Sequence, residues 1–194
     1  MVRDSALLIV DVQNDFCLGG SLEVPDGDAV VPVLNRYIEL FRAENRPVLA
    51  SRDWHPAQTR HFKAFGGIWP PHCVQGTAGA DFHPDLHLPP DTVILSKGMD
   101  PESDAYSAFQ AATPNGALLA DFLGAADIAH LYVGGLATDY CVKASVLEAI
   151  RCGFAVCLLT DAVRGVELAA GDSARAMEEM LAAGATPATL ADLA

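Results

Sequence analysis

The feature that most constrains this sequence is a regular alternation between short, continuously apolar segments and segments with helical periodicity. The predicted strands lie at 6–10, 47–51, 92–96, 130–134, 154–159 and, as a short sixth strand, near 188–191. The predicted helices lie at 28–45, 117–124, 139–151 and 172–183. Strands that are apolar throughout are typical of a parallel sheet covered by helices on both faces. We therefore expect an α/β protein.

Size and charge narrow the class of protein. With 194 residues, of which 51% are hydrophobic and 19% charged, the chain is long enough to bury a core, and we expect one domain spanning 1–194. The net charge of -13 disfavours nucleic acid and anionic membrane surfaces as partners. The sequence leaves open whether the chain acts alone or as a homo-oligomer.

The apolar segments and the cysteines indicate a cellular compartment. The longest comparable apolar run, 154–159, has six residues, whereas a membrane helix needs about 20, and 6–10 is too short for a signal peptide. The chain has five cysteines and no Cys-x-x-Cys pair, which disfavours a disulfide framework. We therefore expect a soluble protein of the reducing cytoplasm, in which one thiol can be reactive.

Chemically active side chains follow several predicted strands. The first three strands end in Asp11, Asp53 and Lys97, each within two residues of the apolar run. The fourth strand leads to Cys141 at the start of a helix, and the fifth ends at Asp161. Ligands of open α/β sheets bind beyond the carboxyl ends of the strands, so we expect these five groups to gather along one edge.

Cys141 is the candidate nucleophile among them. A helix N-terminus and the charge of Lys97 would each lower the pKa of its thiol, and Asp11 could take and return a proton. The backbone N–H groups of Ala137 and Cys141 could form an oxyanion hole. The alternative is that Cys141 is a small, buried core residue. We also expect Asp28 to cap the first helix and Asp139 or Thr138 to cap the third.

A second group of residues has the composition of a metal site. Asp53 and His55 project to the same side of an extended backbone, and His61 and His72 follow in the next loop. Such nitrogen and oxygen ligands suit one divalent ion, Zn²⁺, Fe²⁺ or Mn²⁺. The alternative is a set of solvated loop histidines.

Aromatic residues lie close to both groups. Phe16, Trp69 and Tyr106 could form a slot in which a flat ring stacks, or could anchor long loops to the core. The loops at 52–91 and 98–116 are unusually long for a compact domain, which favours a functional role.

Five segments resemble, in the same order, motifs of the nicotinamidase/pyrazinamidase family of isochorismatase-like cysteine hydrolases. They are DVQNDFC at 11–17 with GGSL at 19–22, RDWHP at 52–56, WPPHC at 69–73, KG at 97–98 and GLATDYCV at 135–142. The resemblance implies a three-layer α/β/α fold around a six-stranded, mainly parallel sheet. It implies hydrolysis of nicotinamide to nicotinate and ammonia, and of pyrazinamide, through a thioester on the cysteine.

The resemblance also implies roles for particular residues. It implies a catalytic triad of Asp11, Lys97 and Cys141, and a cis peptide bond at Leu136–Ala137 that aims N–H groups at the substrate carbonyl.

The same resemblance implies the ligands and the pocket. The metal ligands would be Asp53, His55 and His72, with His61 a direct ligand in some members. The pyridine pocket would be walled by Phe16, Trp69, Tyr106 and Ala137. Tyr140 departs from the family pattern, in which the residue before the nucleophile is often His.

Three other functions compete with this one. The chain could be another isochorismatase-like amidohydrolase that acts on carbamoyl or ureido compounds, although those branches generally lack the metal residues. It could be a metal hydrolase in which bound hydroxide attacks. It could be a metal or nicotinamide binder without activity.

Overall fold

The computed structural model describes residues 2–193 and contains one six-stranded sheet. Its strands are β1 (Ser5–Val10), β2 (Val48–Asp53), β3 (Val93–Lys97), β4 (His130–Leu136), β5 (Ala155–Arg164) and β6 (Thr186–Ala188). Their order is β3-β2-β1-β4-β5-β6, and every neighbouring pair is parallel. The predicted α/β class and parallel sheet are confirmed.

Helices cover both faces of this sheet. They are α1 (Val30–Ala43), α2 (Leu119–Ala125), α3 (Lys143–Arg151), α4 (Asp172–Ala182) and α5 (Leu190–Leu193). One hydrophobic core contains side chains of α1 and α5, and the other contains side chains of α2, α3 and α4. The sheet is thus the middle of three layers. Among residues 2–193, none of the helices combines the length and the hydropathy that a membrane span needs.

The C-terminal part differs from the sequence prediction. The sixth strand ends at Ala188, before most of the predicted segment 188–191, because the Asp192 carboxylate accepts hydrogen bonds from the N–H and hydroxyl of Thr189 and closes a turn that begins α5. The fifth strand continues past Asp161, whose carboxylate binds the Tyr37 hydroxyl and the Leu190 N–H, each at 2.8 Å. Asp161 therefore does not belong to the group of strand-end residues, which corrects that prediction.

The predicted helix caps are also wrong, because no side chain caps α1 or α3. The Asp28 carboxylate instead accepts the Leu18 N–H at 2.8 Å. The Asp139 carboxylate accepts the N–H groups of Val166 and Glu167 at 2.9 and 2.8 Å. Both acids thus fasten a neighbouring loop and not the helix that follows them.

The sheet order brings distant parts of the sequence together at its carboxyl edge. Asp11 directly follows β1, and Asp53 and Lys97 are the last residues of β2 and β3, paired in register. Cys141 lies in a π-helical turn over Thr138–Val142, between β4 and α3. Four adjacent strands therefore deliver these four side chains to one place.

Gly135 of β4 permits the close approach of β4 to β1. It has a φ of 124°, and a Cβ atom there would lie 2.1 Å from the carbonyl oxygen of its partner Val10. We expect Gly135→Ala to lower the free energy of unfolding, measured by urea denaturation, by about 3 kcal/mol or more. The new Cβ would push the backbone of Val10 away, and alanine would have to keep a φ that is unfavourable for any residue except glycine.

Gly153 provides the matched control for that substitution. Its φ is 91°, but nothing lies within 4 Å of the corresponding Cβ position. Gly153→Ala should therefore lower the free energy of unfolding by only about 1–2 kcal/mol, which is the cost of a positive φ for alanine. Equal losses for the two variants would contradict the role assigned to the β1–β4 contact.

Candidate active site and metal centre

The site is organised around the ammonium group of Lys97, which is only 1% exposed. Its Nζ forms ion pairs with Asp11 Oδ2, at 2.9 Å, and with Asp53 Oδ1. The same atom lies 3.4 Å from Cys141 Sγ and donates to the carbonyl of Ala105 at 3.3 Å. Both carboxylates raise the pKa of Lys97 well above its usual value, although burial alone would lower it. Lys97 is therefore a permanent cation.

Asp11 is held by its own strand neighbours. Its second carboxylate oxygen, Oδ1, accepts a hydrogen bond of 2.7 Å from the Ser51 hydroxyl of β2. Burial raises the pKa of Asp11, with a further contribution from Asp53, although Lys97 and the Ser51 bond oppose this. A carboxylate with a raised pKa is a stronger base, so Asp11 is suited to accepting a proton.

Asp53 has the opposite electrostatic character. Burial alone would raise its pKa, but Lys97, assisted by His55 and His72, lowers it below the ordinary value. The Gln13 side-chain amide fixes the backbone of Asp53, accepting its N–H at 2.7 Å and donating to its carbonyl at 2.8 Å. Asp53 is therefore a rigidly placed, ionised carboxylate.

The environment of Cys141 corrects one expectation. Burial, together with Asp11 and Asp53, raises the pKa of the Cys141 thiol well above its usual value, although Lys97 acts in the opposite direction. The sequence suggested a lowered pKa because it placed a cation and a helix start near the thiol but did not show how deeply the thiol is buried. The resting residue is thus a thiol, and a carboxylate oxygen of Asp11 lies within 4.8 Å of its sulfur.

Three buried histidines lie beside this cluster, and each is oriented through its Nδ1. The acceptors are the carbonyl of Gly98 for His55 (3.1 Å), the carboxylate of Asp104 for His61 (2.5 Å) and the carbonyl of Pro70 for His72 (2.8 Å). Because these oxygens carry no hydrogen, each Nδ1 donates. In a neutral ring the remaining nitrogen, Nε2, then carries the lone pair that can bind a metal.

The three histidines lie close together, and two of them have their free nitrogens near Asp53. One ligand atom from each histidine lies within 4.8 Å of the others, and Asp53 Oδ2 is 3.7 Å from His55 Nε2 and 3.9 Å from His72 Nε2. The buried Nε2 of His55 has no hydrogen-bond partner within residues 2–193. Burial lowers the pKa of His72 to about 4 and also lowers that of His61. Neutral imidazoles and one carboxylate oxygen form a donor set that fits a divalent ion.

A small pocket opens onto both groups. Its lining comprises Phe16, Leu22, Asp53, His61, Trp69, His72, Tyr106, Ala137, Tyr140, Cys141 and Val166. Trp69 donates its Nε1–H to the Tyr106 hydroxyl at 2.9 Å and meets the Tyr140 ring edge-to-face at 4.9 Å. Trp69, Tyr106 and Tyr140 therefore hold one another in place along one side of the pocket.

The structure places the sequence-predicted residues as follows. The pocket lining contains Phe16, Asp53, His61, Trp69, His72, Tyr106, Ala137 and Cys141. Lys97 and Asp11 are buried beneath it, with Lys97 in contact with Cys141 and Asp11. Leu136 is fully buried in the core and joined to Ala137 by a cis peptide bond. His55 lies directly behind the pocket, against His61 and His72.

Sequence reasoning missed the supporting side chains Ser51, Gln13 and Asp104. Ser51 and Gln13 lie next to predicted strand ends, where strand position could have suggested them. Asp104 lies in an irregular loop, and no local pattern identifies it.

Comparison with known proteins gives a consistent set of relatives. The Isochorismatase domain family matches residues 5–192. The nicotinamidase of Escherichia coli (strain K12) is 46% identical over 206 residues, which cover 96% of this chain and 95% of that protein.

Solved structures give the same result. The pyrazinamidase of Pyrococcus horikoshii in complex with zinc superposes with a TM-score of 0.89 at 43% identity, covering 96% of this chain and 99% of that one. A protein from L. infantum in complex with nicotinate gives a TM-score of 0.87 at 34% identity, covering 98% and 96% of the two chains.

Replacing Lys97 would leave two buried carboxylates without their cation. We expect Lys97→Met to lower the free energy of unfolding at pH 7 by about 3–5 kcal/mol in chelator-treated protein. In the wild type, the lowered pKa of Asp53 gives stability that is present above the unfolded value of about 3.9 and is lost as the pH falls. In the variant, Asp11 and Asp53 have lost the cation of Lys97, so their buried charges destabilise the fold. Protonation at lower pH removes these charges and the destabilisation with them.

The difference in stability between wild type and Lys97→Met should therefore shrink as the pH falls from 7 towards 4. Urea denaturation at several pH values measures it, with Lys63→Met, at an exposed lysine, as the control. A difference that does not change with pH would show that the loss comes from packing and not from charge.

Proposed function

This chain belongs to the nicotinamidase/pyrazinamidase family of isochorismatase-like hydrolases, and we propose that it hydrolyses nicotinamide to nicotinate and ammonia. The observation that carries the proposal is the Cys141 thiol beside Lys97 and Asp11 at the floor of an aromatic pocket. The nicotinamidase and pyrazinamidase relatives support the same activity and extend it to pyrazinamide.

The pocket suits a neutral, flat amide. Phe16, Trp69 and Tyr106 supply aromatic surface against which a pyridine or pyrazine ring can pack. With the ring against these side chains, the amide would point towards Cys141, which also lines the pocket.

We assign one divalent ion to Asp53 Oδ2 and to the Nε2 atoms of the three histidines, His55, His61 and His72. Zn²⁺, Fe²⁺ and Mn²⁺ all suit this donor set. When bound, the ion supplies a Lewis-acidic position for the ring nitrogen of the substrate. Asp53 would then serve two cations, since its other oxygen already pairs with Lys97.

The first chemical step in this proposal is attack by Cys141. Its Sγ forms a bond to the amide carbon while the thiol proton moves to Asp11, which fits the raised pKa of both groups. The electron pair of the carbonyl moves to its oxygen, where the N–H groups of Ala137 and Cys141 would stabilise the charge.

The remaining steps return the enzyme to its starting state. Asp11 gives its proton to the amide nitrogen, the C–N bond breaks, and ammonia leaves a thioester on Cys141. Asp11 then removes a proton from water, whose oxygen attacks the thioester. The C–S bond breaks, and the sulfur regains the proton from Asp11, while Lys97 stays charged throughout.

Removing the nucleophile tests this mechanism. We expect Cys141→Ala to reduce ammonia release from nicotinamide by at least about 10³-fold, because no other group can form the thioester. Zn²⁺ binding, measured by titration, should be retained, since the sulfur is not among the assigned ligands.

Cys152→Ala is the matched control, because Cys152 is exposed, lies at the C-terminal end of α3 and does not line the pocket. It should keep wild-type activity. Substantial ammonia release by Cys141→Ala with bound Zn²⁺ would favour attack by water without a thioester.

Removing the metal tests the second half of the proposal. We expect chelator-treated enzyme to lose ammonia release and to regain it with Zn²⁺, Fe²⁺ or Mn²⁺. His72→Ala removes an assigned metal ligand. It should therefore lower ammonia release and metal content by more than the loss of a residue that only hydrogen-bonds to a ligand, which typically costs about 10- to 100-fold.

His87→Ala, at an exposed histidine, should leave both quantities unchanged. Full activity of protein shown to be metal-free by elemental analysis would contradict the assignment.

A further inference from the structure

We propose that Asp104 is a positioning residue for the metal centre, which acts by holding His61 with its Nε2 directed at the ion. The inference rests on the proposed function only in requiring that the site bind a divalent ion. It assigns a role to a loop carboxylate that lies outside every motif in the sequence.

Asp104 differs in kind from the partners of the other two histidines. The Nδ1 atoms of His55 and His72 donate to backbone carbonyls, whereas that of His61 donates to a charged carboxylate at 2.5 Å. A carboxylate fixes the tautomer and the ring orientation and also makes the imidazole a stronger ligand. His61 is therefore the histidine whose binding strength depends on a replaceable side chain.

The position of His61 explains why it needs such a partner. Its ring stacks on His55, with centroids 4.5 Å apart and planes at 17°, but it also lines a surface groove with Arg60, Gly66, Gly67, Ile68 and residues 102–104. Asp104 lies on this outer side, and its side chain is 56% exposed. Without the carboxylate, water would compete for Nδ1, and the tautomer with hydrogen on Nε2, which cannot bind a metal, would become populated.

The loop that carries Asp104 is held in place without the carboxylate. The carbonyl of Pro101 accepts the Arg60 N–H at 2.8 Å and the Thr59 hydroxyl at 3.2 Å, which join this loop to the segment before His61. Asp100 closes its own turn, accepting the Glu102 N–H and the Ser103 hydroxyl at 2.9 Å each. Truncation of Asp104 should therefore remove the contact with His61 and leave the loop.

The test is the Zn²⁺ affinity of the full-length, chelator-stripped protein, measured by competition with a chromophoric chelator. We expect Asp104→Ala to weaken Zn²⁺ binding about 10- to 100-fold. Asp104→Asn should weaken it less, since an amide oxygen still accepts the hydrogen bond, and Asp104→Glu should restore part of the affinity. Glu102→Ala, which removes an exposed carboxylate of the same loop but no contact with His61, should bind Zn²⁺ as the wild type does.

A double-mutant cycle separates positioning from a general effect of charge. In a His61→Ala background, Asp104→Ala should cause no further loss of affinity. Wild-type affinity in Asp104→Ala, an equal loss in the His61→Ala background, or an equal loss in Glu102→Ala would each overturn the inference.

Ammonia release from nicotinamide by the wild type distinguishes this inference from the proposed function. The double-mutant cycle can show the expected coupling between Asp104 and His61 in Zn²⁺ affinity while the wild type releases no ammonia. That result would support the positioning role and reject the proposed function. An active wild type with no coupling between Asp104 and His61 would reject the positioning role alone.

Discussion

A single buried ammonium group, that of Lys97, determines the electrostatics of the whole site. It neutralises one of the two carboxylates that flank it, Asp11 and Asp53, and lies against the sulfur of Cys141. The cluster of Lys97 and its two acids keeps a net negative charge, which the proposed divalent ion would offset. The two acids differ in character, because burial raises the pKa of Asp11 against the effect of Lys97, whereas Lys97 holds the pKa of Asp53 below its ordinary value.

The strand-end residues could be predicted from the sequence because parallel strands obey a simple rule. Asp11, Asp53 and Lys97 follow apolar runs, and parallel strands end at a common edge, so their proximity follows without knowledge of strand order. The rule failed at Asp161, where the apolar run 154–159 stops before the strand does. A register irregularity opposite 133–135 accompanies the longer strand, and no residue pattern announced it.

Other properties depend on packing and could not be predicted. Cys141 lies within a π-helical turn, and burial together with two nearby carboxylates raises the pKa of its thiol, where a cation and a helix start suggested the opposite. Asp28 and Asp139 have the residue type and position of helix caps, yet each satisfies a loop from a distant part of the chain. Local preference was outweighed in each case by a tertiary partner that lies 10 or more residues away.

The placement of these charges on separate strands has a consequence for how the protein folds. Asp11, Asp53 and Lys97 belong to three neighbouring strands, and more than 80 residues separate the first from the last. A partly assembled sheet that contains β1 and β2 but lacks β3 would bury two acids without a counter-ion, at a cost of several kcal/mol. Burial of the core and assembly of the site are thereby coupled, which disfavours an intermediate in which the first two strands are buried without the third.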